Sequence, residues 1–325
     1  MITLIIMLSM TSCFQEEEMI PPHEQGDLEE GVAAMGSLYE NQVYFDLFEN
    51  REVSSNNLSI WDLSFESSTG GWLIRLNSAK FMLAGNSFDT TFNLALVMDS
   101  LNMKFDKSDG NPDSTAIGTW FDFSEDSTWS LRHVYLVDLG SDDQGQSLGF
   151  KKVQFDILDN DFIIRYADPD NSGETIVRIG RDPSMDLIHF SFDNGIMEIA
   201  PPPELWSLLF TRYTTMLVTD EGEDYPYLVA GVLLNPNGVI AALDTTHNFM
   251  DLDADILAEL EFTGQSDVIG YEWKYYNFDD GVYTIVPGLN YVLRDRDGYF
   301  YKLRFIDFYS DLGVKGYPKF EFVRL

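Results

Sequence analysis

Short runs of aromatic and β-branched residues recur along the chain, separated by clusters of turn-forming residues. The runs are Val43–Phe48, Trp61–Phe65, Gly71–Leu76, Trp206–Tyr213, Tyr227–Leu234, Tyr291–Asp295 and Tyr299–Tyr309. Ser-Asp-Asp at 141–143, Asp-Pro-Asp-Asn-Ser-Gly at 168–173 and Asn-Pro-Asn-Gly at 235–238 punctuate them. Runs of this length and composition predict half-buried strands, and Asp297-Gly298 predicts a hairpin turn between two of them. Helical spacing of apolar residues is confined to Phe92–Leu101 and Met250–Leu260, which predict two short helices, the second capped by Asp244 or Thr245. The expected fold class is all-β and mainly antiparallel, with a few short helices.

The pattern also repeats. A shift of 145 positions, without a gap, lays VYFDL (43–47) on IHFSF (188–192) and WDLSF (61–65) on WSLLF (206–210). After a loop of different length, RLN (75–77) answers LLN (233–235) and DTTFN (89–93) answers DTTHN (244–248). Later, GFKKVQF (149–155) answers YFYKLRF (299–305). Five blocks in one order point to two tandem units of ordinary domain size. The boundary is expected near Gly180–Pro183, giving repeats at 32–180 and 181–325.

Composition narrows the function. Lys and Arg number 20 against 54 Asp and Glu in 325 residues, a formal charge of −34. There is no basic surplus to displace counterions from phosphate, so generic nucleic-acid binding is excluded. The apolar fraction of 45%, with 14% aromatic residues, can bury substantial cores despite the charge. A single cysteine rules out an intramolecular disulfide, and four histidines leave little material for a zinc site.

That cysteine ends a short apolar run. MITLIIMLSMTS precedes Cys13, too short to span a bilayer but of the length and small-residue ending of an export signal. Met10-Thr11-Ser12-Cys13 resembles a bacterial lipobox, which would make residues 1–13 a lipoprotein signal with Cys13 as the lipidated residue. Residues 14–31, with Glu16, Glu17 and Glu18 followed by Pro21, Pro22 and Gly26, are expected to form an acidic flexible tether. An acidic run close behind the lipidated cysteine resembles the export tag of surface lipoproteins of the Bacteroidetes.

No G-x-S-x-G elbow, phosphate-binding glycine loop or H-E-x-x-H pair is present, so no enzyme is expected. Asp168–Gly173 matches the first half of a helix-loop-helix calcium site, but position 12 is Ile179. Asp251, Asp253 and Asp255 begin a second such match that fails at Ile256 and Phe262. A turn and an acidic element start account for both. Imidazoles and thioethers remain. His23 lies in the tether; His189 stands where the other repeat has Tyr44 and is expected to pack in a strand. His247 stands where the other repeat has Phe92, which favours a packed side chain, yet an imidazole here also suits a metal. Met216 ends the strand begun at Trp206, and Met250 follows His247 by three residues; either could be a thioether ligand or a filler of an irregular core.

The order of the blocks resembles a known family. Each repeat opens with an aromatic strand, a polar loop and a tryptophan strand, and the chain closes with a D-G-x-x-Y-K-L-x-F hairpin (297–305) and a G-Y-x-x-F-E strand (316–321). This is similar to the HmuY-like haem-binding lipoproteins (hemophores) of the Bacteroidetes, here as a tandem duplication. The resemblance implies an outer-membrane, lipid-anchored, surface-exposed protein that holds haem for iron acquisition. It would deliver the haem to a TonB-dependent outer-membrane receptor. It also implies two axial side chains, for which Met216 and His247 are the expected pair and Met250 the substitute. Arg212, Tyr213, Tyr227 and Phe249 are the expected pocket residues, with Tyr225 nearby and Arg212 facing a propionate. The alternative is a non-catalytic surface lipoprotein that binds a glycan or protein partner without a cofactor.

Overall fold

The computed structural model describes residues 26–325 apart from 68–70, 143 and 220; the lipobox, Cys13, His23 and most of the acidic tether lie outside them. Among the described residues the strands form two five-stranded and two four-stranded antiparallel sheets and two small hairpins. The expected all-β, mainly antiparallel class holds. The expected helices do not form: Phe92–Leu101 holds only the 3-10 turn Met98–Ser100, and Met250–Leu260 lies across the 3-10 turns Phe249–Asp251 and Ala254–Glu259. Segments this short do not repay helix nucleation by themselves. Their aromatic residues instead drop individually onto the sheets.

The side chains that do so explain a further correction. Phe92 lies beneath Arg165 and the buried Lys152, with 3.9 Å and 5.1 Å to its ring centre. The residue holding the corresponding place under Lys302 and Arg304 is Phe249, at 5.1 Å and 4.5 Å. Both lysines reach a backbone carbonyl two or three residues beyond the ring, Leu94 at 3.3 Å and Leu252 at 2.7 Å. His247 therefore does not occupy the slot of Phe92, although the DTTxN blocks align them. The loop after each block has a different length, and packing follows the ring.

Two cores result. One draws on residues 33–47 and 208–322, the other on residues 63–192. Two strand pairings run across the expected boundary near Gly180. Asn41–Asp46 pairs with Leu208–Val218, the strand that follows Trp206, and Leu187–Ser191 pairs with Leu63–Glu66, the strand that follows Trp61. The registers are Phe45 to Leu208, Tyr44 to Leu209 and Val43 to Phe210 in one pair. In the other they are Phe190 to Leu63, His189 to Ser64 and Ile188 to Phe65. Adding 145 to one partner and subtracting it from the other converts the first set into the second.

The same correspondence governs the buried polar groups. Asn77 Nδ2 donates to the carbonyls of Leu58 (2.7 Å) and Trp61 (2.8 Å); Asn235 Nδ2 donates to those of Pro203 (2.7 Å) and Trp206 (2.8 Å). Each asparagine also accepts an amide two residues on, from Ala79 and Asn237. The RLN and LLN blocks thus place a buried asparagine that ties the tryptophan turn to its sheet. The predicted hairpin is present between Asn290–Arg294 and Phe300–Tyr309, with Gly298 in its loop at φ 92°, where a side chain is disfavoured. The Asp168–Gly173 segment is a turn whose carboxylates serve the protein: Asp168 pairs with Lys151, and Asp170 accepts from Ser172.

Candidate functional site

His247 sits in the turn after the edge strand Ile240–Asp244 and is about one-third exposed. Its Nδ1 lies 3.0 Å from Oδ1 of Asp244, a carboxylate that is 4% exposed, and its carbonyl accepts from Asn290. Burial pushes the Asp244 carboxyl up, but the side chains of Thr246 and His247 and their backbone amides outweigh it and hold it below the usual range. A carboxylate that fixes one imidazole nitrogen sets the tautomer and leaves Nε2 as the nitrogen available to a metal. In the second DTTxN block, Asp244 and Thr246 thus both hold the ring of His247 through Nδ1.

The other expected site residues are scattered. Met216 lies on Leu208–Val218, opposite Pro226, in a different sheet from the strand leading to His247, and is 39% exposed. Met250 is largely exposed in the 3-10 turn three residues past His247. Phe249 is buried beneath Lys302 and Arg304, so it forms no open pocket wall. Tyr213 is also buried, packed near Gly231 and Gly270, and burial drives its phenol well above the ordinary range. Tyr225 and Tyr227 are partly exposed and meet edge to face at 6.2 Å. His247 therefore carries a donor nitrogen of the kind that could ligate an iron, and of the two expected methionines only Met250 lies in the adjoining turn.

A concave feature that sequence reasoning missed lies at the seam where the opening strands cross. It is a cavity of about 170 Å³, lined on both sides by equivalent residues: Tyr44 and His189, Trp61 and Trp206. His189 meets Trp61 edge-on at 4.7 Å, and Tyr44 meets Trp206 edge-on at 5.0 Å. Gln42 bridges the halves, receiving the Trp61 indole N–H (3.3 Å) and donating to the Tyr44 hydroxyl (3.2 Å). Arg212 lines this cavity; the other expected pocket residues do not. Cofactor pockets run to roughly 300–1,000 Å³, so the seam does not accommodate a porphyrin. His189 was expected to pack in a strand, and it does. What the sequence concealed is that the strand pairing turns it toward the Trp61 side of the seam.

A single family model, the HmuY protein, matches residues 38–322, running across both cores. The chain belongs to the HmuY family. HmuY proteins are non-catalytic and bind haem, so this member is not an enzyme. Among solved structures, it is similar to apo PinO from Porphyromonas gingivitis at 9% identity, covering 91% of this chain and 96% of that one, with a TM-score of 0.28. It is similar to the apo HmuY analogue of Tannerella forsythia at 9% identity, covering 93% and 98%, with a TM-score of 0.26. A chain from Bacteroides vulgatus described as HmuY-like and haem-binding matches at 10% identity, covering 34% of this chain and 90% of that one, with a TM-score of 0.20. No curated protein matches. Among the described residues no helix is long and apolar enough to cross a membrane.

Proposed function

We propose that this HmuY-family protein captures haem at the bacterial surface, held there by a lipid on Cys13, and passes it to an outer-membrane receptor. The observation that carries the proposal is the family match over residues 38–322. The local chemistry of His247 supports it. Haem supplies an iron that takes two axial ligands and a flat apolar ring. Asp244 holds the His247 imidazole in one tautomer and leaves Nε2 for the iron. A thioether, from Met216 or Met250, would supply the second ligand, and single alanine variants of each decide between them. Haem titrations followed by absorbance should show a Soret shift in the parent protein. The shift should weaken in His247→Ala and in one of the two methionine variants.

The two halves are, in this account, duplicated copies of one unit within a single family member, with their opening strands exchanged. The equivalent registers and the equivalent asparagine bonds support that reading. The alternative, a cofactor-free lipoprotein binding a glycan or protein, draws support from the hairpin Lys274–Asn277 and Val282–Ile285. There Tyr275 and Tyr276 are half-exposed and Phe278 at the loop is 88% exposed. Retention on a glycan array without any effect on the haem spectrum would favour it.

A further inference from the structure

Among the described residues, the lining of the seam cavity includes polar atoms with no hydrogen-bond partner. His189 is 3% exposed, and its Nδ1 makes no hydrogen bond; Oδ2 of Asp186, also on the lining, makes none either, while Oδ1 accepts from Asn237 at 3.2 Å. A buried polar atom left unpaired loses its hydration without compensation, so two beside one cavity call for something to pair with. The room itself comes from an asymmetry between the halves. Tyr44 faces Leu209 across one exchanged strand pair, and the matching pair in the other half is His189 facing Ser64. Both substitutions remove bulk, and all four residues line the cavity. Leu187, where the other half has Gln42, leaves an apolar wall.

We infer that the seam binds a flat aromatic molecule of the size of phenol or indole, whose O–H or N–H is received by His189 with Asp186 as a second acceptor. An apolar cavity of about 150 Å³ holds a benzene-sized guest, which sets the size class. Trp61 and Trp206 supply the aromatic walls such a ring prefers. Burial keeps the His189 imidazole neutral, with its pKa pushed down to about 4, so an acceptor nitrogen is present at neutral pH. The site stands apart from haem capture, since a porphyrin does not fit the cavity.

The test uses the full chain and phenol as probe, with toluene as the donor-free control. Nitrogen-15 NMR of the His189 side chain should show its ring resonances moving saturably with phenol, and the movement should persist with haem present. Toluene should bind about tenfold more weakly, the worth of one hydrogen bond. Ser64→Leu, which installs the residue already accommodated at position 209, should fill the cavity and abolish phenol binding. His189→Phe should weaken it about tenfold while keeping the edge contact with Trp61. Resonances of His189 that do not respond to phenol in the parent protein would overturn the inference. So would phenol affinity left unchanged in a folded Ser64→Leu variant.

Discussion

At the scale of single residues, the interior is organised by a few polar side chains whose bonds can be counted. Asn77 and Asn235 each satisfy two carbonyls and one amide with no access to water. Replacing either by alanine strands those groups, and urea melts should show a loss of about 2 kcal/mol for each variant. His189 yields a pH dependence of known sign. Its folded pKa, about 4, lies below the ordinary 6.5, so the unfolded chain takes up the proton first as pH falls. Its contribution is intact above pH 6.5 and is lost progressively toward about pH 4, by at most about 3 kcal/mol. The stability of the parent should fall relative to that of His189→Phe across that range, by up to this amount; a difference that does not change with pH would refute the burial of a neutral imidazole.

At the scale of elements, the shift of 145 residues reveals which segments are equivalent but not which pair. Tyr44 beside Leu209 and His189 beside Ser64 obey the same register as an unexchanged arrangement would, so the hydrophobic pattern is indifferent to the exchange. For this reason the strands and the hairpin at Gly298 are legible in the sequence, and the strand pairings that cross the expected boundary near Gly180 are not. The helices were misread for a related reason. Phe92 and Leu96 stand four residues apart, a helical spacing, but Phe92 is bound individually under Lys152 and Arg165, a tertiary contact that no periodicity encodes. The exchange makes a sharp prediction. Fragments 32–180 and 181–325, expressed separately, each lack the opening strand that completes their sheet, so neither should melt cooperatively alone. Mixing them should restore a cooperative transition; a cooperative melt of either fragment alone would contradict the pairing.

At the scale of the whole molecule, the net charge of −34 sets the conditions for any anionic ligand. Haem carries two propionates, and the field of the protein opposes their approach unless local cations screen it. Raising salt from about 0.01 M to about 0.15 M shortens the screening length from about 30 Å to about 8 Å, so haem affinity should rise with salt over that range. Of the proposed haem site, the sequence singled out His247; its bond to Asp244 is a feature of the fold, since the sequence offered Asp244 only as a helix cap. Phe249 and Tyr213 are named from the sequence as pocket residues, but their burial is not legible there, because packing decides which aromatic faces stay open. The most direct test of haem capture is an absorbance titration of the full chain with haem, in the ferric and ferrous states, beside His247→Ala. A saturable Soret shift that weakens in the variant is the predicted result; a haem spectrum unchanged in both oxidation states would contradict the account.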